Sequence, residues 1–598
     1  MRGGFGHRMM TGGEEKDFDL RNLDRRILGM VWGYARPYVG TLVLATISML
    51  VVTAATLAAP YLTKMAIDNY ILQGDLSGLT SISLIILGVF GLQWFSSYWQ
   101  TYLSRLAGER IVGDVRIDLY SHVQKMPIDF FKRNQTGDIM SRITHDVNAL
   151  SELVTNGFVH ILNDFLTVFG IVAIMLLLNW ELALITFISI PLIVIVMRVL
   201  GEKMRNAYRE VRERLADLNA DVEESISGIR VVQALNREAV NTGEFGRLSW
   251  QNLRANLRAV SVFALLFPTM NLSRVLGEAL VLWYGGRAVI GGAITLGVVV
   301  AFMQYVRRFF APLADLSQVY NTLQSAGASL DRITEYLELE TPITEAKEPR
   351  RPEGGFRGEI SLQHVTFAYE ETPVIEDLNL EISAGERFAL VGQTGAGKTT
   401  IVNLLARLYD VDDGRITLDG IDLREIASRD LRRTVGVVPQ DVFLFDTSIA
   451  ENIRYGKPEA TDEEIREIAR QVHAHDFISR LPEQYDTQVG EGGLKLSGGQ
   501  RQLVSFARAM LSDPTVLILD EATSSVDAHT EMLIKDALEI LLEDRTSLII
   551  AHRFSTLRRA NRIGVLESGR LTAVGTHEEL VAKSSIYRDL LQKQGMAV

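Results

Sequence analysis

The sequence predicts two joined folds: a polytopic α-helical membrane domain of six transmembrane helices with long cytoplasmic extensions, then a C-terminal α/β domain of the P-loop type. Three observations carry this. Apolar runs of about 20 residues, enough to cross a roughly 30 Å hydrocarbon layer, crowd the first half of the chain and then stop. Proline, glycine and charge replace them abruptly at ETPITEAKEPRRPEGGFRG, residues 340–358. Beyond that point short β-rich runs alternate with helical stretches, and one of them enters a glycine-rich loop ending in Lys398 and Thr399.

Composition agrees with a chain divided between lipid and water. At 598 residues it exceeds what one core can organise. Hydrophobic residues make up 47% and charged residues only 22%, a blend that neither a membrane bundle nor a soluble domain gives alone. A net charge of -12 opposes the counterion displacement that nucleic-acid binding needs, so no nucleic-acid partner is expected. The absence of cysteine excludes disulfides, thiolate metal sites and cysteine nucleophiles together.

Residues 1–23 are glycine-rich and polar and lack the apolar core of a secretory signal, so they read as a mobile N-terminal extension. The membrane domain is expected over 24–339. Its first segment, Asp24 to Arg36, is amphipathic and carries Arg25, Arg26 and Arg36, which favours lying along the bilayer surface over spanning it. Spans are expected at about 38–60, 80–103, 157–179, 181–200, 259–284 and 289–313. The long connections at 104–156 and 201–258 are rich in lysine and arginine, whereas the opposite connections are short and carry Arg287 as the exception. Both termini are therefore expected in the cytoplasm. The long connections interleave charge with Ile, Val and Leu, so the membrane helices should continue well beyond the bilayer.

Few polar residues fall inside the spans. Arg274 and Glu278 lie four apart with Asn271 one turn earlier, a spacing that allows an ion pair on one helix face. Asp164 beside Asn163 occupies the third span and Gln304 the sixth. Intramembrane charges are costly and face a cavity or a partner. A structural ion pair is favoured over a substrate contact for Arg274 and Glu278, with Asp164 and Gln304 as further substrate candidates. Trp94, Phe95 and Trp99 could line an apolar cavity, although aromatic residues in spans more often face lipid.

A linker is expected over 340–357 and the α/β domain over 358–598, with no internal repeat. Its strongest signal is Gly392-Gln-Thr394-Gly395-Ala-Gly397-Lys398-Thr399-Thr400, after the apolar strand RFALV and opening a helix. Glycines let backbone amides turn toward phosphate oxygens, the helix N-terminus adds its dipole, Lys398 reaches the outer phosphates and Thr399 can ligate Mg²⁺. The second signal is VLIL-Asp520-Glu521, a buried strand ending in two carboxylates. Asp520 is placed to hold Mg²⁺ through water and Glu521 to orient and deprotonate an attacking water. The third is Leu496-Ser497-Gly498-Gly499-Gln500, followed by RQLVSFARAML.

LSGGQ between a phosphate loop and a DE-terminated strand resembles the ATP-binding cassette family. The resemblance covers about residues 24 to 595. It implies an ATPase domain binding ATP and Mg²⁺, with Ser497, Gly498, Gly499 and Gln500 meeting the γ phosphate of ATP held by an opposite subunit. It further implies that Tyr369 stacks on adenine, Gln440 senses Mg²⁺, His552 contacts the γ phosphate, and Ser524 to Asp527 runs across a dimer interface. Thr487-Gln-Val-Gly-Glu-Gly resembles the exporter segment that contacts a partner's cytoplasmic loop. The stretches starting at Phe130 and at Asp221 resemble loops that dock on nucleotide domains.

The fusion order resembles half-size bacterial exporters of multidrug or lipid type. It implies a lipophilic small-molecule or lipid substrate, the lipid bilayer as surroundings, and the bacterial inner membrane as location. It also implies a second half-transporter as partner, a homodimer being favoured because every catalytic part is present, although QLVSFARA resembles halves that pair with an impaired partner. The rival readings are an ATP-gated channel or a regulatory cassette subunit. A cassette ATPase acting on DNA or ribosomes is opposed by the six spans.

Overall fold

The computed structural model describes residues 25–152, 159–339, 343–520, 528–551, 557 and 559–593. The chain divides into two compact units, one comprising residues up to Lys125 together with Asn134–Leu339, the other Met126–Arg133 together with residues from Glu340 onward.

Among the described residues, the first unit is built of helices and short turns. The helix α1 (Arg25–Ala35) precedes α2 (Val39–Met65), which ends in a π turn at Ala66–Ile71, and α3 (Leu76–Val123). Asp75 starts α3 by accepting the Gly78 amide at 2.9 Å. At 48 residues α3 is about 72 Å long, more than twice the hydrocarbon thickness. After α4 (Ile128–Arg133), which belongs to the other unit, come α5 (Thr136–Ser141), α6 (Val147–Glu152), α7 (Val159–Leu178), α8 (Trp180–Phe187) and α9 (Ser189–Ser227). Then follow α10 (Ile229–Ala234), α11 (Glu238–Phe263), α12 (Leu266–Leu280), α13 (Gly286–Ile290) and α14 (Leu296–Leu337). The extensions of α9 and α11 run side by side, joined by Arg258 to Glu210 at 2.6 Å.

Among the described residues, four helical stretches are long and apolar enough to cross a membrane: Gly29–Ile71, Leu76–Val123, Ile161–Leu178 and Glu238–Ile290. Three expected spans have different bounds in the structure, the fifth being broken at Ala264–Leu265 between α11 and α12. The fourth is interrupted at Ile188, dividing α8 from α9. The sixth starts at Leu296 rather than 289, because Gly292 at φ +74° breaks the helix before Thr295 turns extended.

Polar side chains hold these apolar helices in register. Pro60 inside α2 lacks the N–H that the Thr56 carbonyl needs. The Arg308 guanidinium of α14 donates to that carbonyl, and the Tyr305 hydroxyl donates to the Leu57 carbonyl at 2.7 Å. Thr53 donates to Asn163 at 2.8 Å and so links α2 to α7. Lower on α14, buried Asp146 accepts from Ser329 at 2.9 Å and from both Nε and a terminal nitrogen of Arg332 at 2.9 and 2.5 Å. A carboxylate buried this far is tolerated because it is paired and fully bonded.

The second unit carries two sheets. The strands are β1 (Ile360–Ala368), β2 (Pro373–Ile382), β3 (Arg387–Gly392), β4 (Asp413–Leu418), β5 (Ile421–Asp422), β6 (Val435–Val438), β7 (Val516–Asp520), β8 (Thr546–Ile550), β9 (Arg562–Glu567) and β10 (Arg570–Gly575). Six of them form the order β10-β9-β3-β8-β7-β6, parallel except at the β10 edge. β7 and β8 are buried along nearly their whole length because both faces of the sheet are covered. The run ISLQHVTFA lies in a separate antiparallel sheet of order β2-β1-β4-β5. Its alternating burial, one face in and one out, is the pattern such a sheet requires. Asp419 and Gly420, both at positive φ, close the β4–β5 hairpin. The Asp419 carboxylate also accepts the amides of Arg357, Gly358 and Glu359, which fastens the approach to β1.

Candidate nucleotide-binding site

The parallel order puts the ends of β3, β8 and β7 side by side, and the chemistry-bearing residues follow those ends. Ligands of open α/β sheets bind at such carboxyl ends. After β3 the loop turns through Gly395 and Gly397, at φ +85° and +105°, into the helix α15 (Lys398–Leu405). Any Cβ on Gly397 would lie 2.7 Å from Ile375, so the loop must pass bare backbone there. The amides at the start of α15 face outward with the positive end of the helix dipole.

The Lys398 ammonium curls over its own loop, donating to the carbonyls of Gly392 at 2.8 Å and Gln393 at 3.0 Å. Of three ammonium hydrogens, one is left for a phosphate oxygen. Burial pushes this ammonium below its usual pKa, and the Asp520 carboxylate works against that shift. Asp520 closes β7 and Lys398 follows the loop after β3, with β8 between the two strands. Thr394 is exposed on the loop and Thr399 in the first turn of α15, whereas Thr400 is buried. Gln440, beyond the end of β6, is exposed. Glu521, Asp527 and His552 lie outside the described residues.

Tyr369 sits at the end of β1, and its hydroxyl donates to Thr400 at 3.3 Å while accepting from Asn403 at 3.2 Å. Two hydrogen bonds to α15 fix the ring beside the phosphate loop. Its neighbours are Phe367 and Tyr409, with ring centroids 5.0 and 5.2 Å away. The Lys132 ammonium of α4 lies 5.0 Å from the Tyr369 centroid and 5.8 Å from that of Tyr409. Burial pushes the Tyr409 hydroxyl above its usual pKa, partly offset by Lys132. Sequence reasoning did not single out Tyr409, Asn403 or Lys132. No local spacing marks them, because α4 and α15 meet Tyr369 only in the folded unit.

The second anion-binding end belongs to the helix Gly498–Leu511. Ser497 caps it, accepting the Gln500 amide at 3.3 Å, while Gln500 Oε1 accepts the Ser497 amide at 2.9 Å. This reciprocal box fixes both side chains and leaves the Gly498 and Gly499 amides at the helix end. Gly499 is buried, but a Cβ on exposed Gly498 would meet nothing within 4 Å. The helix rests on a core containing Leu496, Leu503 and Phe506, whereas the phosphate loop rests on another containing Phe388, Ala396 and Ile401. Among the described residues, no hydrogen bond joins these two anion-binding ends.

In the membrane unit, Arg274 donates to Glu278 on the same helix face and to Asn271 at 2.7 and 3.2 Å. Glu278 also accepts from Arg307 Nε of α14 at 3.0 Å, so the pair joins two helices. Arg307 was legible as a charge inside the sixth span but was not singled out. Asp164 lies within 3.5 Å of Asn163 Nδ2, and Gln304 is half-buried on α14. An apolar groove between α2 and α7 is lined by Leu57, Tyr61, Ile174 and Leu178 among others; Trp94, Phe95 and Trp99 take no part in it.

A phosphate loop at the end of a central parallel strand, an acidic strand end beside it and long apolar helices define a P-loop nucleotide-hydrolysing membrane protein. Residues 42–313 match the family described as ABC transporter transmembrane region, and residues 375–524 the family described as ABC transporter. An ATP-dependent lipid A-core flippase of Syntrophus aciditrophicus (strain SB) is 39% identical over 564 residues, covering 94% of this chain and 93% of the relative. A fatty acid ABC transporter ATP-binding/permease protein of Mycobacterium bovis is 40% identical over 489 residues, covering 82% and 77%. The solved structure of a bacterial Atm1-family ABC exporter with ATP bound superposes with a TM-score of 0.75 at 27% identity, covering 97% of this chain and all of that one. The chain belongs to the ABC transporter family: it is a half-size exporter, one membrane region and one ATP-binding, ATP-hydrolysing domain in a single polypeptide.

Proposed function

We propose that two copies of this chain close on two ATP molecules, each held between Lys398 of one copy and Ser497 of the other, to export a lipophilic compound. The observation that carries this reading is the separation of the two anion-binding ends onto different cores of one unit. A single chain supplies both faces of a nucleotide site, and a second copy brings them together. Gly498 supports it further: nothing in its own chain fills the space beside it, as suits close approach by a phosphate from outside.

In this reading Tyr369 stacks on adenine, the amides of 392–400 cradle the phosphates, and Lys398 places its remaining hydrogen on the outer ones. Thr399, Gln440 and Asp520 offer hard oxygen donors suited to Mg²⁺, which would neutralise phosphate charge when bound. The exposed Thr399 hydroxyl at the helix start and the Asp520 carboxylate beside Lys398 fit that role. Glu521 takes the proton of the attacking water and His552 contacts the γ phosphate. Closure favours an outward-open membrane domain and hydrolysis returns it, each nucleotide state binding one global conformation better. The relatives named for lipid A-core and fatty acid favour a lipid or other amphiphile, with multidrug efflux as the broader form. Their bacterial sources and the positive loops favour the bacterial inner membrane with both termini and the ATPase domain in the cytoplasm.

The test is reconstitution in liposomes with outward-facing ATPase domains, comparing the native chain with Glu521→Gln. The native chain should take up fluorescent lipids or lipophiles on ATP addition, while the variant binds ATP and nearly stops turning over. Full steady-state hydrolysis in Glu521→Gln, or activity from a strictly monomeric chain, overturns the reading.

A further inference from the structure

The chain passes between its two units three times: it leaves the first after Lys125, re-enters it at Asn134 and leaves it again after Leu339. Inside the first unit, residues beside these crossings are bonded to one another. His122, just before the first crossing, meets the carbonyl of Leu339, just before the third, at 3.1 Å. A carbonyl only accepts, so His122 Nε2 carries the proton and donates. The Tyr336 hydroxyl donates to Asn134, at the second crossing, at 3.4 Å. Each bond joins residues more than 200 apart in sequence, so no local geometry requires it.

Beside these bonds stands a charged clasp between α14 and the π turn Arg142–Asp146 that precedes α6. Such turns are frequent at functional sites. The Asp146 side chain is only 10% exposed and accepts three bonds from Ser329 and Arg332. Arg142, at the other end of the turn, puts its guanidinium 3.9 Å from the Tyr336 ring centroid and 3.8 Å from Glu335. A two-nitrogen arginine grip on a carboxylate fixes orientation as well as distance, so this part of α14 neither slides nor turns against α6 while the grip holds.

The two routes along the chain from the ATPase unit to α14 differ in stiffness. Residues 343–359, in the connection that follows α14, form neither helix nor strand. By contrast α4, which belongs to the second unit, is followed within three residues by one unbroken helical stretch, 136–152, made of α5, the π turn and α6. Coupling between distant sites is carried by rigid elements and bonded side-chain networks. We propose that Asp146 and Arg332 are positioning residues for transport. They lock α14 to the stretch after α4, so a change in the ATPase unit reaches α14 through α4–α6 rather than through the linker. α14 runs unbroken from Leu296 to Leu337, about 63 Å, so a shift at Arg332 is delivered to the sixth apolar run. This rests on the reading that the chain moves a lipophile as it hydrolyses ATP.

The test uses the full chain in phosphatidylcholine liposomes with outward-facing ATPase domains. ATP hydrolysis is read beside uptake of a fluorescent short-chain phosphatidylcholine and of tetraphenylphosphonium. In Asp146→Asn and Arg332→Gln, hydrolysis should stay within about twofold of native while the amount moved per ATP falls about fivefold or more. Arg332→Lys, which keeps the charge, should recover part of that ratio. His122→Ala lies outside the buried clasp and should lower the ratio about twofold or more; it decides if the clasp variants do not fold. A four-residue Gly-Ser insertion after Leu339 slackens the linker and should leave the ratio within about twofold of native. An unchanged ratio in the clasp variants, or in His122→Ala where they do not fold, overturns the proposal and leaves the exporter reading standing. So does a parallel loss of hydrolysis and movement, the mark of a packing pair. So does an insertion that uncouples as fully as the clasp variants, which would assign transmission to the linker. A native chain that hydrolyses ATP but moves neither probe overturns both.

Discussion

The Asp68 carboxylate, at the end of α2, accepts the backbone amide of Gly297 at 2.8 Å and so caps a helix more than 200 residues away in sequence. The same carboxylate accepts from the Thr295 hydroxyl at 2.5 Å and pairs with Lys64 at 3.3 Å. Thr295 holds the N-cap position of α14, yet its own side chain makes no capping bond. Asp68 supplies that function from another helix, adding negative charge at the positive end of the α14 dipole. Asp68→Ala should lower stability by ~1–2 kcal/mol, the range for a lost cap, with Asp68→Asn nearer the lower end. Thermal unfolding of the full chain in nanodiscs reads this directly. No change in midpoint for either variant would show the cap to be dispensable.

Gly297 provides the complementary test. A Cβ there would lie 2.6 Å from both the Lys64 carbonyl and Asp68 Oδ1, backbone and carboxylate that cannot both withdraw. Gly297→Ala should therefore destabilise even though alanine is the better helix former by about 1 kcal/mol. A variant as stable as the native chain would mean that α2 and α14 separate at little cost.

Glu386 should contribute to the acid sensitivity of the ATPase unit. Burial alone would raise its pKa, but the Arg562 guanidinium at 2.6 and 2.9 Å and the Ser383 amide hold it below the ordinary 4.5. Because the folded pKa is the lower one, the pairing stabilises fully above about 4.5 and its contribution is lost as pH falls through the folded value. Glu386→Gln should be less stable at neutral pH by ~1–3 kcal/mol, the range for a hydrogen bond to a charged group. It should also lose less stability than the native chain between pH 5 and pH 3, measured by amide exchange over β9. Equal acid sensitivity in both proteins would assign the effect to other carboxylates.

Legibility in the sequence follows how local the chemistry is. Lys398, Ser497 and Asp520 could be read because phosphate handling needs specific residue types within a few positions of one another, on a strand end or a helix start. Arg274 and Glu278 were legible for the same reason, since four residues make one helical turn. Arg307 was not, because its partnership with Glu278 depends on where the α13–α14 turn falls, and an apolar run with glycines at 285, 286, 291 and 292 does not reveal that. Asp68 was missed likewise: no pattern relates an aspartate to a helix so far along the chain. The separate antiparallel sheet that holds β1 was not legible, because strand propensity says nothing of neighbours. Segment 126–133, which belongs to the second unit, was legible only through the resemblance of the stretch starting at Phe130 to docking loops, since short helices carry their docking surface only in three dimensions.

Tyr369 tests the adenine end of the proposed site. Tyr369→Ala should raise KM for ATP by about tenfold or more, since stacking of a base on an aromatic ring is worth ~1–3 kcal/mol. Tyr369→Trp should restore most of it. Tyr369→Phe keeps the ring but loses the hydroxyl bonds to Thr400 and Asn403, each a net ~1 kcal/mol, and should give an intermediate KM. An unchanged KM in Tyr369→Ala would move the adenine elsewhere.

Gly498 separates a requirement of folding from one of catalysis. Glycine in a helix costs up to about 1 kcal/mol relative to alanine, and here the space beside it is open, so Gly498→Ala should leave stability unchanged or slightly raised. The same Cβ would stand over the amides at the start of the helix, where a phosphate of the partner-held nucleotide is proposed to bind. ATP hydrolysis should then fall at least tenfold while the unfolding midpoint holds or rises. Stability and activity moving in opposite directions is the signature of a residue kept for an approaching group. Loss of both together would make Gly498 a packing residue, and loss of neither would remove this helix end from the nucleotide site.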